Sequence, residues 1–217
     1  MKLTLNLILV LIAFTFMGCE KKTPFSDFKY ANKGAVLNCE NINTPLFNEA
    51  LFSFENDIVS FYNKNGPENI GLAYSQFMRN AINGRAKYIE IVSPHTVKIF
   101  EALKNENNLW DAENTKSYLN YKSDYITCIL ANIKDAKLKT TFNALVSTNS
   151  MSPELFGTPI SRNYRVLTTD KYLAAYVALD LYYAKLFKID LSQVKDKPVV
   201  EEKVDFNKRP VRTTPTN

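Results

Sequence analysis

The sequence is poor in histidine and in glycine, and each shortage excludes a class of site. His95 is the 1 histidine among 217 residues, so a Ser–His–Asp or Cys–His catalytic site would have to use it. One histidine can form neither an HExxH motif nor a histidine cluster for catalytic zinc. The 6 glycines form no glycine-rich phosphate-binding loop. We therefore expect neither a metal nor a cofactor.

Few glycines and long periodic apolar segments favour helices over a turn-rich β fold. Residues 172–187 are apolar on nearly every side, which is typical of a helix buried among other helices. Thr44 and Ser93 each precede a proline, the pattern of an N-cap followed by the first helical residue. The sequence therefore predicts an all-α domain over 44–190, a single bundle of about six to eight helices around a buried C-terminal helix, 170–188.

The N-terminal segment carries the most specific motif in the chain. Lys2 precedes an apolar run over residues 3–16, which is short for a membrane span. The sequence FMGC follows at residues 16–19. This segment resembles the signal peptide and lipobox of bacterial lipoproteins, although Phe16 stands where leucine is usual, and the resemblance ends at Cys19. The alternative is an uncleaved signal anchor.

The resemblance implies a cellular location and a domain organisation. Residues 1–18 would be removed as the signal peptide, and acylated Cys19 would attach the chain to a membrane. Residues 19–43, which are mixed and polar, would serve as lipid anchor and tether. Glu20, rather than aspartate, follows the cysteine, which favours the outer membrane of the cell envelope. The resemblance leaves open whether the domain faces the periplasm or the outside.

The net charge excludes one further role, and the C-terminal composition sets the end of the folded domain. Loss of Lys2 changes the formal net charge from +5 to +4, and this excess is spread along the chain. No basic stripe with aromatic residues is present, so we expect no nucleic-acid partner. Residues 191–217 contain prolines, mixed charges and little apolar content, which predicts a disordered tail.

The cysteines can be assigned by elimination. Of the 3 cysteines, Cys19 carries lipid in the hypothesis above, and Cys39 and Cys128 remain in an oxidising compartment. The compartment predicts a disulfide between them. The alternative is two free buried thiols, because Cys128 lies in an apolar run.

Asp180 is the most conspicuous polar residue of the predicted core. On a helical wheel it lies on the side opposite Lys171 and Lys185, among apolar residues. A buried acid needs a bonding partner, so Asp180 is either a structural acid or a carboxylate in a ligand site. Arg162 and Arg165, in a segment predicted to be a long polar loop, are candidate partners.

That loop, residues 148–169, is also the best candidate for an interaction surface, since long loops in compact domains are often functional. His95 lies in the first turn of a predicted helix, where a capping or surface role is expected and a binding role is the alternative. Asp111, Glu113 and Glu154, with Asp180, are available as the paired carboxylates of a glycan hydrolase.

Tyrosines recur at helical spacing in two segments. We expect them to belong to the core with hydroxyls at its rim, and an aromatic wall for a sugar or an apolar ligand is the alternative. Ser117 to Tyr121, within the first segment, is predicted to be a short helix. The tyrosines are Tyr118, Tyr121, Tyr125, Tyr172, Tyr176 and Tyr183.

Three functions are consistent with these observations. The favoured hypothesis is a non-enzymatic, lipid-anchored accessory or binding subunit with a protein partner in the envelope. The alternative is a binding module for a glycan or small molecule, which a sizeable pocket beside Asp180 would favour. A carboxylate-dependent cell-wall or glycan hydrolase would require two acids that converge in a cleft.

Overall fold

Helices make up nearly all of the regular structure. The structure, a computed structural model, describes residues 24–40, 42–64 and 67–195. Within these ranges the chain forms seven longer helices and two single-turn helices. The one extended pairing there is an isolated β-bridge between Trp110 and Leu119. The all-α prediction is confirmed.

The helices follow one another with short connections, and the exception is the long segment 104–123, between Leu103 and Asp124. In chain order they are α1 (Thr44–Tyr62), α2 (Ile70–Ile82), α3 (Tyr88–Ile91), α4 (Pro94–Leu103), α5 (Asp124–Asn132), α6 (Ala136–Ser147), α7 (Pro153–Arg162), α8 (Val166–Thr169) and α9, which runs through Lys171–Val177, a π-helical stretch Ala178–Tyr183 and Ala184–Leu186. Two 3-10 turns, Ala31–Lys33 and Leu191–Gln193, flank this series.

Short polar side chains set where the helices begin. The Ser93 side chain accepts a hydrogen bond from the Thr96 amide at the start of α4, as expected. The cap of α1 lies one position before the expected residue. Asn43, rather than Thr44, caps α1, and Asp170 caps α9 by accepting from the Leu173 amide.

Helix α9 lies at the centre of the bundle, as predicted. It contacts α1, α2 and α5, and every residue from Leu173 to Ala184 is buried. Because neighbours cover several of its sides, the helix can be apolar all round. Its π-helical stretch adds a residue to the turn that contains Asp180, a departure from α-helical geometry that is rare and often found at functional sites.

The prediction of a polar loop over residues 148–169 is wrong, because most of this segment forms α7 and α8. Ser152 caps α7, and Phe156 and Ile160, one turn apart, are fully buried. The burial of this apolar pair stabilises the helix although it contains Gly157 and Pro159, two residues that disfavour a helix interior.

The predicted short helix over Ser117 to Tyr121 is also absent. The segment is part of a turn in which the Asp111 amide donates to the Tyr118 carbonyl, and Tyr118 has a left-handed backbone with φ of 70°. That conformation interrupts a right-handed helix.

A disulfide joins Cys39 to Cys128, which confirms the predicted pairing. The two Cα atoms lie 6.0 Å apart, and 89 positions of sequence separate them. The bond fastens the N-terminal part of the described chain, residues 24–40, to α5.

The predicted signal peptide 1–18 and the lipidation residue Cys19 lie outside the described residues, as does the predicted tail from residue 196 onward. In the part of the chain that the structure describes, no helix is both long enough and apolar enough to span a membrane.

Candidate functional site

Asp180 is fully buried and accepts three hydrogen bonds from hydroxyl groups. Ser117 and Tyr121 donate to Oδ1, the latter over 3.0 Å, and Tyr176 donates to Oδ2 over 2.6 Å. Burial raises the pKa of the Asp180 carboxyl above its ordinary value, whereas the three hydroxyls and the charge of Lys185 lower it. The net direction is upward, so the acid holds its proton more tightly than an exposed aspartate would.

Two parts of the chain supply the donors. Tyr176 lies one helical turn before Asp180 on α9. Ser117 and Tyr121 belong to the turn over residues 111–122, called the pocket turn below. The left-handed residue Tyr118 lies between them.

A pocket of about 340 Å³ lies between the pocket turn and the end of α6 with the residues that follow it. Tyr121 and Met151 both line the pocket, and both contact the buried cluster, since the Tyr176 hydroxyl lies 4.0 Å from the Met151 sulfur. The pocket therefore lies directly over the Asp180 cluster. Polar side chains that line it include Asp111, Glu113, Lys116, Lys122 and Asn149.

The pocket contains two of the candidate acids, and both come from the same turn. The Glu113 amide donates to Oδ1 of Asp111 over 3.0 Å, so the two residues belong to one wall. Glycan hydrolysis requires carboxylates on either side of the scissile bond. Glu154, in the first turn of α7, is exposed. The two acids that line the pocket therefore do not come from opposite elements of it.

The tyrosines of the cluster act as hydrogen-bond donors. Burial, followed by the nearby charge of Asp180, raises the pKa of Tyr121 far above its ordinary value. The pKa of Tyr176 is raised in the same direction, also mainly by burial. Both hydroxyls keep their protons at neutral pH, so neither provides a general base. The cluster can hold the pocket wall in place through Tyr121.

Neither predicted arginine partner contacts Asp180, so the proposed pairing is wrong. Arg162 ends α7 and is exposed. Arg165 is also exposed, and its guanidinium lies 6.0 Å from the ring of Tyr164. Because the segment folds as two helices, both arginines lie at helix ends on the surface, and neutral hydroxyls take their place beside Asp180.

His95 is neither an N-cap nor a surface residue. It is 4% exposed, and its Nε2 lies 2.6 Å from Oε1 of Glu49, which is itself buried. Its Nδ1 is buried with no hydrogen-bond partner, 3.7 Å from Oδ2 of Asp27. No local pattern indicates this contact, because 46 positions separate the histidine from Glu49.

Sequence reasoning also missed the buried acid Asp57. Its Oδ2 accepts from the Ser93 amide over 2.9 Å, from the Thr96 hydroxyl over 2.7 Å and from the Tyr182 hydroxyl over 2.6 Å. A signal was present, since Asp57 interrupts the apolar face of α1. These bonds join α1, α4 and α9, so the role of Asp57 is structural.

No group of three or more histidine, cysteine, aspartate or glutamate side chains in the described ranges could hold a metal ion. The chain matches no model of a known protein family, no curated protein and no solved structure. Its function has to be argued from the pocket and its surroundings.

Proposed function

We propose that this chain is a non-enzymatic, lipid-anchored accessory protein of a bacterial cell envelope that binds a small polar ligand of the glycan class. The resemblance of residues 16–19 to a lipobox supports attachment through acylated Cys19. Glu20 after that cysteine supports an outer-membrane location. The cysteine pair at 39 and 128, which forms a disulfide, is consistent with an oxidising compartment.

One observation carries the binding proposal: the pocket lies over the buried Asp180 cluster. Its volume of about 340 Å³ falls at the lower end of the range for small-ligand pockets. The Tyr121 wall is fixed by a hydrogen bond to a carboxylate that α9 holds in the core. A fixed wall favours binding, because less side-chain freedom is lost when the ligand is bound.

The lining favours a ligand that is polar at its edges and apolar on a face. Glu113 offers acceptors, Lys116 and Lys122 offer donors, and the Asn149 amide offers both. Val146 and Met151, with the ring of Tyr121, supply apolar surface. A sugar ring has hydroxyl groups around its rim and C–H bonds on its faces, and this matches the distribution in the pocket.

The arrangement of acids and tyrosines at the pocket favours binding over hydrolysis. The two acids of the pocket, Asp111 and Glu113, come from one wall, and the tyrosines are held as proton donors. In an accessory protein, the bound glycan, or the complex of this chain with the glycan, would be presented to a second envelope protein. Cross-linking of a tagged chain in the native envelope tests that part, and a stoichiometric protein partner is the expected result.

Calorimetric titration of the chain with a panel of short saccharides, including N-acetylglucosamine oligomers, tests the ligand class. The diagnostic variant is Asn149→Gly, which removes an amide from the pocket. Asn149 has φ of 53°, a conformation that glycine adopts without strain. Asn108→Gly is the matched control, since Asn108 has φ of 55° and does not line the pocket.

We expect at least one saccharide to bind. Asn149→Gly should weaken binding about tenfold, because the variant loses one or two hydrogen bonds to the ligand. Asn108→Gly should leave binding unchanged. Equal losses in both variants, or no binding across the panel, would overturn the glycan proposal. Release of cleaved saccharide during the titration would restore the hydrolase alternative.

A further inference from the structure

Residues 24–40, called the leading segment below, are attached at several points to the helical bundle of α1 to α9. The bundle together with the segments packed on it is called the body below. The Glu49 carboxylate on α1 accepts from the Lys29 amide over 2.7 Å and from the Tyr30 amide over 3.1 Å. The same carboxylate contacts Nε2 of His95 on α4. A buried charged group that satisfies two backbone amides fixes the position of those residues.

Further contacts extend this attachment toward the N-terminus. Lys98 on α4 forms an ion pair with Asp27 over 2.9 Å. The ring of Phe25 lies 6.3 Å from the His95 ring and 5.1 Å from the ring of Phe28. The leading segment is thus held against α4 from Phe25 onward.

The other end of the leading segment is fastened as firmly. The Asn48 side-chain oxygen accepts from the amides of Val36 and Leu37, and its amide group donates to the Leu37 carbonyl. Cys39 then forms the disulfide with Cys128. The leading segment is therefore part of the body and does not lengthen the connection between the body and Cys19.

The remaining connection is short. Cys19 and Pro24 are 5 positions apart, and a fully extended chain of that length spans at most about 18 Å. A body of about 170 residues is roughly 40 Å across, from its radius of gyration of about 16 Å. With lipid on Cys19, the surface around Pro24 must stay close to the membrane, because the connection is shorter than the body is wide.

That surface is basic and carries an exposed aromatic ring. Phe28 is 36% exposed, Lys29 and Lys33 are exposed, and the Lys98 side chain is 64% exposed. With Asp27, these residues carry a formal charge of +2 from three lysines and one aspartate. Lysines beside an exposed aromatic side chain suit the headgroup region of an anionic bilayer.

We propose that the surface formed by Phe28, Lys29, Lys33 and Lys98, called the basic face below, lies on the anionic phospholipid headgroups of the membrane that holds Cys19. The proposal rests on lipid attachment at Cys19, which belongs to the proposed function, and adds an orientation and a partner surface to it. It is independent of the ligand in the pocket.

A vesicle experiment tests the orientation with the anchor supplied chemically. The chain from Cys19 to Asn217 is coupled at Cys19 to a maleimide phospholipid, because Cys39 and Cys128 are joined in a disulfide and do not react. The vesicles contain phosphatidylethanolamine and phosphatidylglycerol at 3:1, with a nitroxide on part of the headgroups. A fluorescent amino acid is placed at Asn32, which is exposed beside the basic face, or at Thr140, which is exposed on α6.

Helix α6 packs on α5 and α7, and its residues have no hydrogen bond to the leading segment among the described contacts. We expect the nitroxide to quench the fluorophore at position 32 at least threefold more than the one at position 140. Equal quenching at the two positions would overturn the proposal.

Charge variants separate the basic face from simple tethering. We expect Lys29→Gln with Lys33→Gln to lower the ratio of docked to undocked molecules about fivefold per lysine. Lys137→Gln with Lys139→Gln changes the charge equally on α6 and should leave the ratio unchanged. An equal effect of both pairs would also overturn the proposal.

Mass spectrometry of the N-terminal peptide from native membranes tests separately whether Cys19 is acylated. An unacylated Cys19 would overturn the lipid anchor and with it the orientation in the cell, whatever the vesicles show. An acylated Cys19 with equal quenching in the vesicles would overturn the basic face alone. Neither result bears on saccharide binding.

Discussion

The hydroxyl of Tyr121 donates a hydrogen bond to Oδ1 of Asp180 over 3.0 Å, although 59 positions of sequence separate the two residues. One side of Tyr121 lines the candidate pocket, and its hydroxyl reaches the centre of the bundle. The pocket wall is therefore coupled to the π-helical stretch of α9. Because of this coupling, substitutions at Tyr121 and at Asp180 both test the site.

Tyr121→Phe should weaken saccharide binding more than it weakens the fold. The phenyl ring keeps the apolar wall but loses the bond that orients it, so the wall gains freedom that ligand binding must remove. We expect the free energy of unfolding to fall by about 1 kcal/mol, the net value of one hydrogen bond. Urea unfolding and calorimetry measure the two effects. Tyr164→Phe, outside the pocket, is the control and should change neither.

Asp180 should make stability depend on pH in a defined direction. Its pKa is raised in the folded chain, so the folded state keeps a proton that the unfolded state releases first. The free energy of unfolding should therefore fall as pH rises from the ordinary aspartate value, about 3.8, toward the raised folded value. Asp180→Asn keeps the shape of the side chain and removes the titration.

The measurement is urea unfolding of the wild-type chain and Asp180→Asn between pH 3 and 8. We expect the stability of the wild type relative to the variant to decrease over the lower part of this range and then level off. Asp27 and Asp190, whose pKa values are lowered, are present in both proteins and cancel. A difference that stays constant over the whole range would contradict the raised pKa.

Asp180→Ala should be strongly destabilising, and the arginines should not share in this effect. Removing the carboxylate leaves three hydroxyls without their acceptor, at a cost of about 3 kcal/mol. Arg162→Ala and Arg165→Ala should each change stability by less than about 0.5 kcal/mol. Double variants with Asp180→Ala should be additive. A coupling above about 1 kcal/mol would indicate an ion pair that the structure does not contain.

Reduction of the Cys39–Cys128 disulfide should destabilise the body. The bond closes a loop of 89 positions, which corresponds to up to about 4.6 kcal/mol in the chain-entropy model. Urea unfolding with and without reductant measures the loss, and a variant with alanine at both positions should not respond to reductant. Two reactive thiols in the unfolded, unreduced chain from residue 20 onward would show that the bond is absent.

Gly157→Ala should destabilise α7 although alanine is the better helix former. A Cβ atom at this position would lie 2.7 Å from Cγ2 of Ile82, and that methyl group sits on a branched carbon with little freedom to move. We expect a loss of about 2 kcal/mol from overpacking, and Ile82→Ala in the same chain should relieve most of the clash. Gly71→Ala on α2, where the nearest atom is at 3.4 Å, should be neutral or slightly stabilising.

Local patterns were sufficient for much of the fold and for one member of the site. The burial of α9 and the position of Asp180 on its apolar side follow from helical periodicity, which is a property of neighbouring residues. The cap at Ser93 follows for the same reason. The segment over 148–169 reads as a loop because its polar residues, Gly157 and Pro159 outweigh two apolar positions, Phe156 and Ile160, and the burial of that pair in the tertiary structure stabilises the helix instead.

The sequence by itself determined the all-α class, the central helix and the lipobox resemblance, and it predicted the cysteine pair from the compartment that this resemblance implies. Only the tertiary structure decided which groups satisfy the buried charges. Asp180 meets Ser117 and Tyr121 instead of arginines, and His95 meets Glu49, because a buried acid requires donors at hydrogen-bond distance but not at any fixed separation along the chain. The bundle brings these partners together across 46 to 63 positions, and no local pattern encodes such distances.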